Sequence, residues 1–272
     1  METFLFIGVG NMGSAILGRA VERGAIPAAA VSVFDTDSER LAAAGRLGVR
    51  TLGSLDAAEA GGFDFVLVCV KPKDVASACA KASGLMKADG LLVSIAAGIS
   101  IASVEKALGR PAAVCRVMPN INILSGSGAS ALSFNAGAAP GRKKKAMDLF
   151  AASGLAVEIE ESRLHAVTGL SGSGPAYAAL FISALTDGGV KSGLSNADAY
   201  ALALQTVGGT VETLRKLGCV PEQLKNMVSS PGGTTIDAVH SLEKNRFRAA
   251  VIEAVETAAK KSALLGKAGE KK

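Results

Sequence analysis

The stretch F-L-F-I-G-V-G-N-M-G, residues 4 to 13, constrains the fold more than any other part of the chain. A short apolar run suited to a strand ends in glycine and passes at once into helical spacing. Gly8 permits a tight turn, Gly10 lets backbone approach a pyrophosphate, and Gly13 lets the following helix lie close on the strand. The start of that helix then offers free N–H groups and a positive dipole to phosphate. Glycines at this spacing are common by themselves. Here they have a strand before them, a helix after them, and Asp35 ending the second predicted strand, 22 residues after Gly13. A carboxylate there accepts from ribose hydroxyls. Gly8, Gly10, Asn11, Met12, Gly13 and Asp35 together specify a dinucleotide-binding turn.

The rest of the first half repeats this grammar. Residues 4–9, 31–35, 65–70, 91–96 and 112–117 read as short apolar strands bounded by Gly, Pro or Asp. Ala-rich segments of helical period lie between them, such as 12–23 and 38–47. Continuous apolar strands alternating with helices predict a mostly parallel, doubly wound sheet covered on both faces, the Rossmann arrangement. Two further strands, 129–134 and 156–160, extend the sheet. In such a sheet ligands bind beyond the strands' C-terminal ends. Val70, Lys71 and Pro72 follow one strand, Ala97 and Gly98 the next, and Met118, Pro119 and Asn120 the one after. All are expected at one shared cofactor cleft.

After Glu161 the strand signals nearly vanish. Residues 1–161 are therefore read as the dinucleotide-binding domain and 162–272 as an all-α domain. Tyr177, Leu180, Phe181, Ala184 and Leu185 recur at helical spacing. Ser195 with Asp198 resembles a capping box for a helix running to Leu217, with Gly218 as its C′ residue. Pro221 suits the first position of the next helix, and a last helix is expected from about Arg246 to Leu265, ending at Gly266. Gly208 and Gly209 lie inside the long helix, where each costs about 1 kcal/mol against Ala; a closely passing backbone would account for them. Apolar residues surround much of these helices, which predicts a dimer with helices of two chains packed together.

The second informative stretch is S-S-P-G-G-T-T, residues 229 to 235. It holds more helix-start residues than one N-cap uses. Pro231 fixes the chain, Gly232 and Gly233 permit close approach, and Thr234 and Thr235 bring hydroxyls to the start of a helix through His240. Free N–H groups at a helix start bind anions, carboxylates included. The pattern predicts a ligand with a carboxylate and one neighbouring hydrogen-bonding atom.

Composition narrows the alternatives. Of 272 residues 49% are hydrophobic, enough for a substantial core. There is no Trp and there are two Tyr, little stacking surface for a nucleic-acid reader. The net charge of +5 is scattered, which serves solubility rather than a polyanionic partner. The four cysteines form no C-x-x-C pair, so neither a disulfide framework nor a metal site is expected, and a reducing cytoplasm fits. The N-terminus does not read as a signal peptide. No apolar run reaches the ~18 residues of a membrane span. His165 and His240 read as structural, G-R-K-K-K at 141–145 as a solvated helix start, and S-G-S-G-P at 171–175 as a helix start and close-packing site in a dimer core.

These motifs resemble the pyrroline-5-carboxylate reductases. The resemblance rests on F-I-G-V-G-N-M-G-S-A-I (6–16), V-K-P (70–72), S-I-A-A-G-I-S (94–100), R-V-M-P-N (116–120), T-G-L-S-G-S-G-P-A-Y (168–177) and S-P-G-G-T-T-I (230–236), and it covers nearly the whole chain. It implies a Rossmann domain followed by a helical dimerisation domain, with further assembly as rings of dimers. It implies hydride transfer from NADPH or NADH to the C=N carbon of 1-pyrroline-5-carboxylate, giving L-proline. It also implies that Ser230 and N–H groups around Gly232, Gly233 and Thr234 hold the substrate carboxylate, with the Thr235 hydroxyl near the ring nitrogen. Many members carry Ser, Asn or Arg where this chain has F-D-T-D at 34–37. A carboxylate at Asp35 favours NADH, with Arg40 nearby as an offset. A ketone reductase would need a lysine donor in the helical half, where Lys191 lacks the expected motif. A dinucleotide sensor would need the first motif without the second.

Overall fold

The computed structural model describes residues 1–270, with side-chain surroundings through Gly266. Contacts divide it into two compact units. One holds Met1–Ser173 with the described residues from Thr257 onward, and the other holds Gly174–Glu256.

The first unit contains one eight-stranded sheet. Its elements run β1 (Phe4–Ile7), α1 (Asn11–Glu22), β2 (Val31–Phe34), α2 (Ser38–Gly45), β3 (Arg50–Thr51), β4 (Phe63–Val68), α3 (Val75–Leu85), β5 (Met86–Ser94), α4 (Ile101–Leu108), β6 (Ala113–Met118), β7 (Gly128–Phe134), α5 (Pro140–Ala151) and β8 (Gly154–Glu158). The strand order is β3-β2-β1-β4-β5-β6-β7-β8. All neighbours are parallel except β6 and β7, which run antiparallel. The first six strands have the dinucleotide-binding order, whose direction of winding reverses between β1 and β4.

Alternation along each strand explains why the sheet needs both faces covered. Phe4, Phe6, Phe65, Leu67, Leu91 and Val93 point to one side, where Ile16 and Leu17 of α1 and Leu149 and Phe150 of α5 cover them. Leu5, Ile7, Val66, Val68, Leu92 and Val114 point to the other, against α3 and α4. Phe4 and Phe65 stack across β1 and β4 with ring centroids 5.0 Å apart.

Four strands end earlier than their apolar runs imply. Gly8 takes φ +93° and ends β1 before Val9. Asp35, Val70 and Ala96 likewise fall just past β2, β4 and β5, in the loops that open at the C-terminal edge. Strand β5 begins earlier than expected, at Met86, with an irregular register against β4. The expected solvated helix start at 141–145 is a packed one. The Arg142 side chain is 13% exposed and pairs with Asp64, Asp89 and Glu2 at 2.7, 2.9 and 3.4 Å. Its guanidinium lies 5.2 Å from the Phe65 ring centroid. Lys145 lies 5.8 Å from the Phe4 ring, and Lys144 is the residue of the run that faces water.

The chain then forms a short α6 (Leu164–Val167), a π-turn (Thr168–Gly172), and α7 (Gly174–Lys191), α8 (Asn196–Leu217), α9 (Pro221–Met227), α10 (Thr234–Lys244) and α11 (Phe247–Glu270). The Ser195 hydroxyl accepts from the Asp198 N–H, Gly218 closes α8 at φ +61°, and Pro221 opens α9. One expectation fails: helix α11 passes through Gly266 instead of ending there. Among the described residues no other backbone comes close to Gly208 or Gly209; the close crossing of α7 and α8 is at Gly189, where a Cβ would sit 3.0 Å from Ala199 Cβ.

Within the helical unit, Phe181 and Phe247 pack at 5.8 Å and the Tyr177 hydroxyl donates to the Ala254 carbonyl. Much apolar surface stays open all the same. Leu180 is 72% exposed, and Tyr200, Leu202 and Ile252 are more than half exposed. Among the described residues no helix is long and apolar enough to cross a membrane.

Candidate active site

A cleft of about 570 Å³ lies at the C-terminal edge of the sheet. Gly8, Gly10, Asn11 and Met12 form its glycine wall, and Asp35 with Arg40 forms its far end. Val70, Lys71 and Pro72 line one side; Ala97, Met118 and Pro119 line the other. The three strand ends singled out in sequence thus meet at one place. Thr36, Asp74, Ile95 and Ala96 also line it.

The glycine turn has the form a pyrophosphate requires. A Cβ on Gly8 would meet the Cys69 carbonyl group and Val70 at 3.0 Å, and one on Gly13 would collide with the Gly8 carbonyl oxygen. These two glycines are demanded by packing. Gly10 is different, because a Cβ there would meet nothing closer than the Arg40 guanidinium, at 3.6 Å. The absence of a side chain at Gly10 keeps the cleft open instead of allowing the fold. Helix α1 begins at this point with no side chain capping it, so its first N–H groups face the cleft's glycine wall. A cradle that a Cβ would fill, set against an uncapped helix start, fits the pyrophosphate of NADH or NADPH.

Asp35 is nearly buried, at 9% exposure. One carboxylate oxygen accepts from the Val9 N–H at 2.7 Å and the other from the Asp37 N–H at 3.0 Å. It therefore fastens the glycine turn to the end of β2 at the far end of the cleft. Asp37 caps α2 through the Glu39 and Arg40 N–H groups and pairs with the Arg40 guanidinium at 3.2 Å. Cys69 also lines the cleft; burial pushes its thiol up to about 12, so it offers no thiolate.

Asn120 lies off the cleft lining. It is buried, and its side chain donates to the Ser171 carbonyl at 3.0 Å and accepts from the Ala129 N–H at 3.1 Å. Ser171 belongs to the π-turn, whose Gly172 packs so closely on the Met118 methyl that a Cβ would lie 2.7 Å from it. Ser171 and Gly172 thus support the cleft-lining end of β6 within the same chain. Arg116 of the same strand is buried against Glu161 at 2.9 Å, and Glu161 also accepts from the Ile101 N–H that opens α4.

In the helical unit, Ser229 and Ser230 lead into a turn closed by the Gly233 N–H to the Ser230 carbonyl. Gly232 takes φ +67°, and a Cβ on Gly233 would collide with the Ser230 hydroxyl. Helix α10 starts at Thr234 with no side-chain cap. The surplus of cap residues is not spent on the helix itself. Its first N–H groups, the Ser230 hydroxyl close by, and the hydroxyls of Thr234 and Thr235 form a donor-rich cluster.

Among the described residues no group of His, Cys, Asp or Glu is arranged to hold a metal. His165 shares a 3.0 Å hydrogen bond with the Ser262 hydroxyl.

The comparisons with known proteins decide the family. A pyrroline-5-carboxylate reductase from Methanosarcina acetivorans is 38% identical over 265 residues, covering 96% of this chain and 97% of that protein. The chain belongs to the pyrroline-5-carboxylate reductase family. Residues 161–265 match the family model for pyrroline-5-carboxylate reductase dimerisation, and 3–98 match that for NADP oxidoreductase, coenzyme F420-dependent. The reductase of Escherichia coli is 37% identical over 96% of this chain and 97% of its own length. A solved pyrroline-5-carboxylate reductase from Plasmodium falciparum with NADP bound superposes with TM-score 0.85 and 33% identity, covering 97% of this chain and 98% of that one.

Proposed function

We propose that this reductase family member reduces 1-pyrroline-5-carboxylate to L-proline with NADH or NADPH, the last step of proline biosynthesis. The observation that carries the reading is that one chain holds both a glycine-walled dinucleotide cleft and an uncapped helix start at S-P-G-G-T-T. Bound NADH or NADPH supplies the hydride. The protein's own residues do the rest by placement. Ser230 and the N–H groups of Gly232 and Thr234 hold the substrate carboxylate at the positive end of α10, in a turn that the Gly233 N–H closes onto the Ser230 carbonyl. The Thr235 hydroxyl bonds at the ring nitrogen. A cyclic imine is protonated readily in water, so orientation of the C=N carbon matters more than a strong acid. The loop accordingly contains hydroxyls and amides and no Lys, Cys or Glu.

The cofactor contacts are those named in the cleft, with Asn11, Met12, Lys71, Ala97 and Met118 along its length and Gly13, Gly98 and Asn120 shaping it from behind. Asp35 brings a carboxylate to the ribose end and, among the described residues, pairs with no cation, while Arg40 is engaged by Asp37. This favours NADH over NADPH. The open apolar faces of the helical unit, with the dimerisation model matched there, support a homodimer, and rings of dimers as the next level of assembly. Residues 1–161 and 162–272 are the functional division we assign, with the protein acting in the cytoplasm.

Oxidation of NADH and NADPH, followed in parallel with 1-pyrroline-5-carboxylate, tests the reaction. Turnover with either supports it, and the ratio measures the effect of Asp35. A folded protein that binds dinucleotide and turns over neither would overturn it.

A further inference from the structure

The loop after β5 has two sides. Ala97 lines the cleft, while Gly98, at φ +79°, turns its back to the end of α11. A Cβ on Gly98 would lie 3.6 Å from the Gly266 nitrogen and 3.8 Å from the Gly266 Cα and the Leu265 carbonyl carbon. In return, a Cβ on Gly266 would lie 3.4 Å from both the Gly98 carbonyl oxygen and His165 Cε1. Backbone meets backbone here because neither residue has a side chain. One turn earlier on α11, the buried Ser262 hydroxyl meets His165 Nδ1 at 3.0 Å. The His165 ring thus fills the angle between α11 and the glycine loop.

We infer that Gly266 and His165 are positioning residues for the dinucleotide, acting through the backbone of Ala97–Gly98. The inference rests on the reading of the cleft as the NADH or NADPH site. A loop with a glycine in left-handed conformation has few internal constraints, and a ligand bound to it must otherwise meet the cost of ordering it. The end of α11 supplies the order in advance. The 3.4 Å spacing also sets the direction of the effect. A Cβ at Gly266 would already touch the Gly98 carbonyl and the His165 ring, so a side chain that branches beyond it, as in Gly266→Val, displaces one of them, and displacing the first moves the cleft wall.

The test is fluorescence titration of NADH and NADPH into the full-length protein, the Gly266→Val and His165→Ala variants, and His165→Gln. Melting temperature and the KM for 1-pyrroline-5-carboxylate are followed alongside. The expected result is a rise of at least fivefold in dinucleotide Kd for Gly266→Val and His165→Ala, with substrate KM changed less than twofold. His165→Gln, whose amide can still reach Ser262, should recover most of the affinity. Unchanged Kd in both disruptive variants would overturn the inference, as would a rise in Kd that only accompanies loss of the folded state. Failure of the parent protein to bind either dinucleotide would instead overturn the reading of the cleft.

Discussion

The Asp35 carboxylate accepts a 2.7 Å hydrogen bond from the Val9 N–H, which lies between the first two glycines of the turn. One side chain thereby holds the glycine turn and brings a carboxylate to the far end of the cleft. Replacing Asp35 with Asn keeps an acceptor for Val9 and removes the charge. The ratio of kcat/KM for NADPH to that for NADH should rise about tenfold, the effect of ~1.4 kcal/mol of relieved repulsion. Parallel steady-state assays with the two cofactors check this. An unchanged ratio would mean that Asp35 serves the turn alone.

Gly10 and Gly13 should fail in opposite ways. Gly10→Ala has room in the free protein, so its melting temperature should stay near the parent's while dinucleotide Kd rises tenfold or more. Gly13→Ala forces a Cβ against the Gly8 carbonyl oxygen and should cost about 2 kcal/mol of stability before binding is considered. Thermal melts combined with binding titrations separate the two.

Thr235→Ala removes a hydroxyl with no hydrogen-bond partner among the described residues, so stability should not change. If the hydroxyl meets the ring nitrogen, kcat should fall roughly tenfold, the size of one hydrogen bond. Loss of all turnover in a folded variant would point to an obligatory proton donor in its place.

Asp64 lies at the opposite edge of the sheet from the cleft, under Arg142 and Lys87. Burial alone would raise its carboxyl. Hydrogen bonds from Lys87, the Thr3 N–H, Arg142 and the Thr3 hydroxyl more than offset this and hold it well below the ordinary value of 3.8. A group held lower in the folded state gives stability that is complete above its unfolded value and is lost as pH falls toward the folded one. Unfolding free energy should therefore decline below about pH 5. Asp64→Asn should lose about 3 kcal/mol at pH 7, since it takes the nearest carboxylate from the largely buried Arg142 guanidinium, and should flatten the acid decline. Denaturant melts across pH 3–7 check both.

The sheet was legible because its strands are buried on both faces and read as continuous apolar runs. The strand ends were less so. Val9, Asp35, Val70 and Ala96 continue the apolar or motif pattern yet sit in loops, because a ladder ends where backbone pairing ends and not where hydrophobicity does. Strand β3 is two exposed residues, Arg50 and Thr51, and has no pattern to find. The reversal between β6 and β7 depends on how the connection at 119–127 folds back, which local sequence does not state. At the cleft, glycines and chain ends named most of the lining. Asn120 belongs to its motif, but the side chain's direction is fixed by Ala129 on the next strand and by Ser171, 51 residues away. Arg142 was misjudged because a basic run looks alike whether water or three carboxylates surround it.

Helix α10 begins without a side-chain cap, although serines and threonines stand all around its start. In an enzyme of the proposed kind, the missing cap is the substrate's own carboxylate. Its first turn is then the part of the protein that only the reaction's participants complete. Amide hydrogens at 234–236 should exchange quickly in the empty protein and slow when L-proline binds. Some of the affinity measured for substrate or product would belong to finishing a helix.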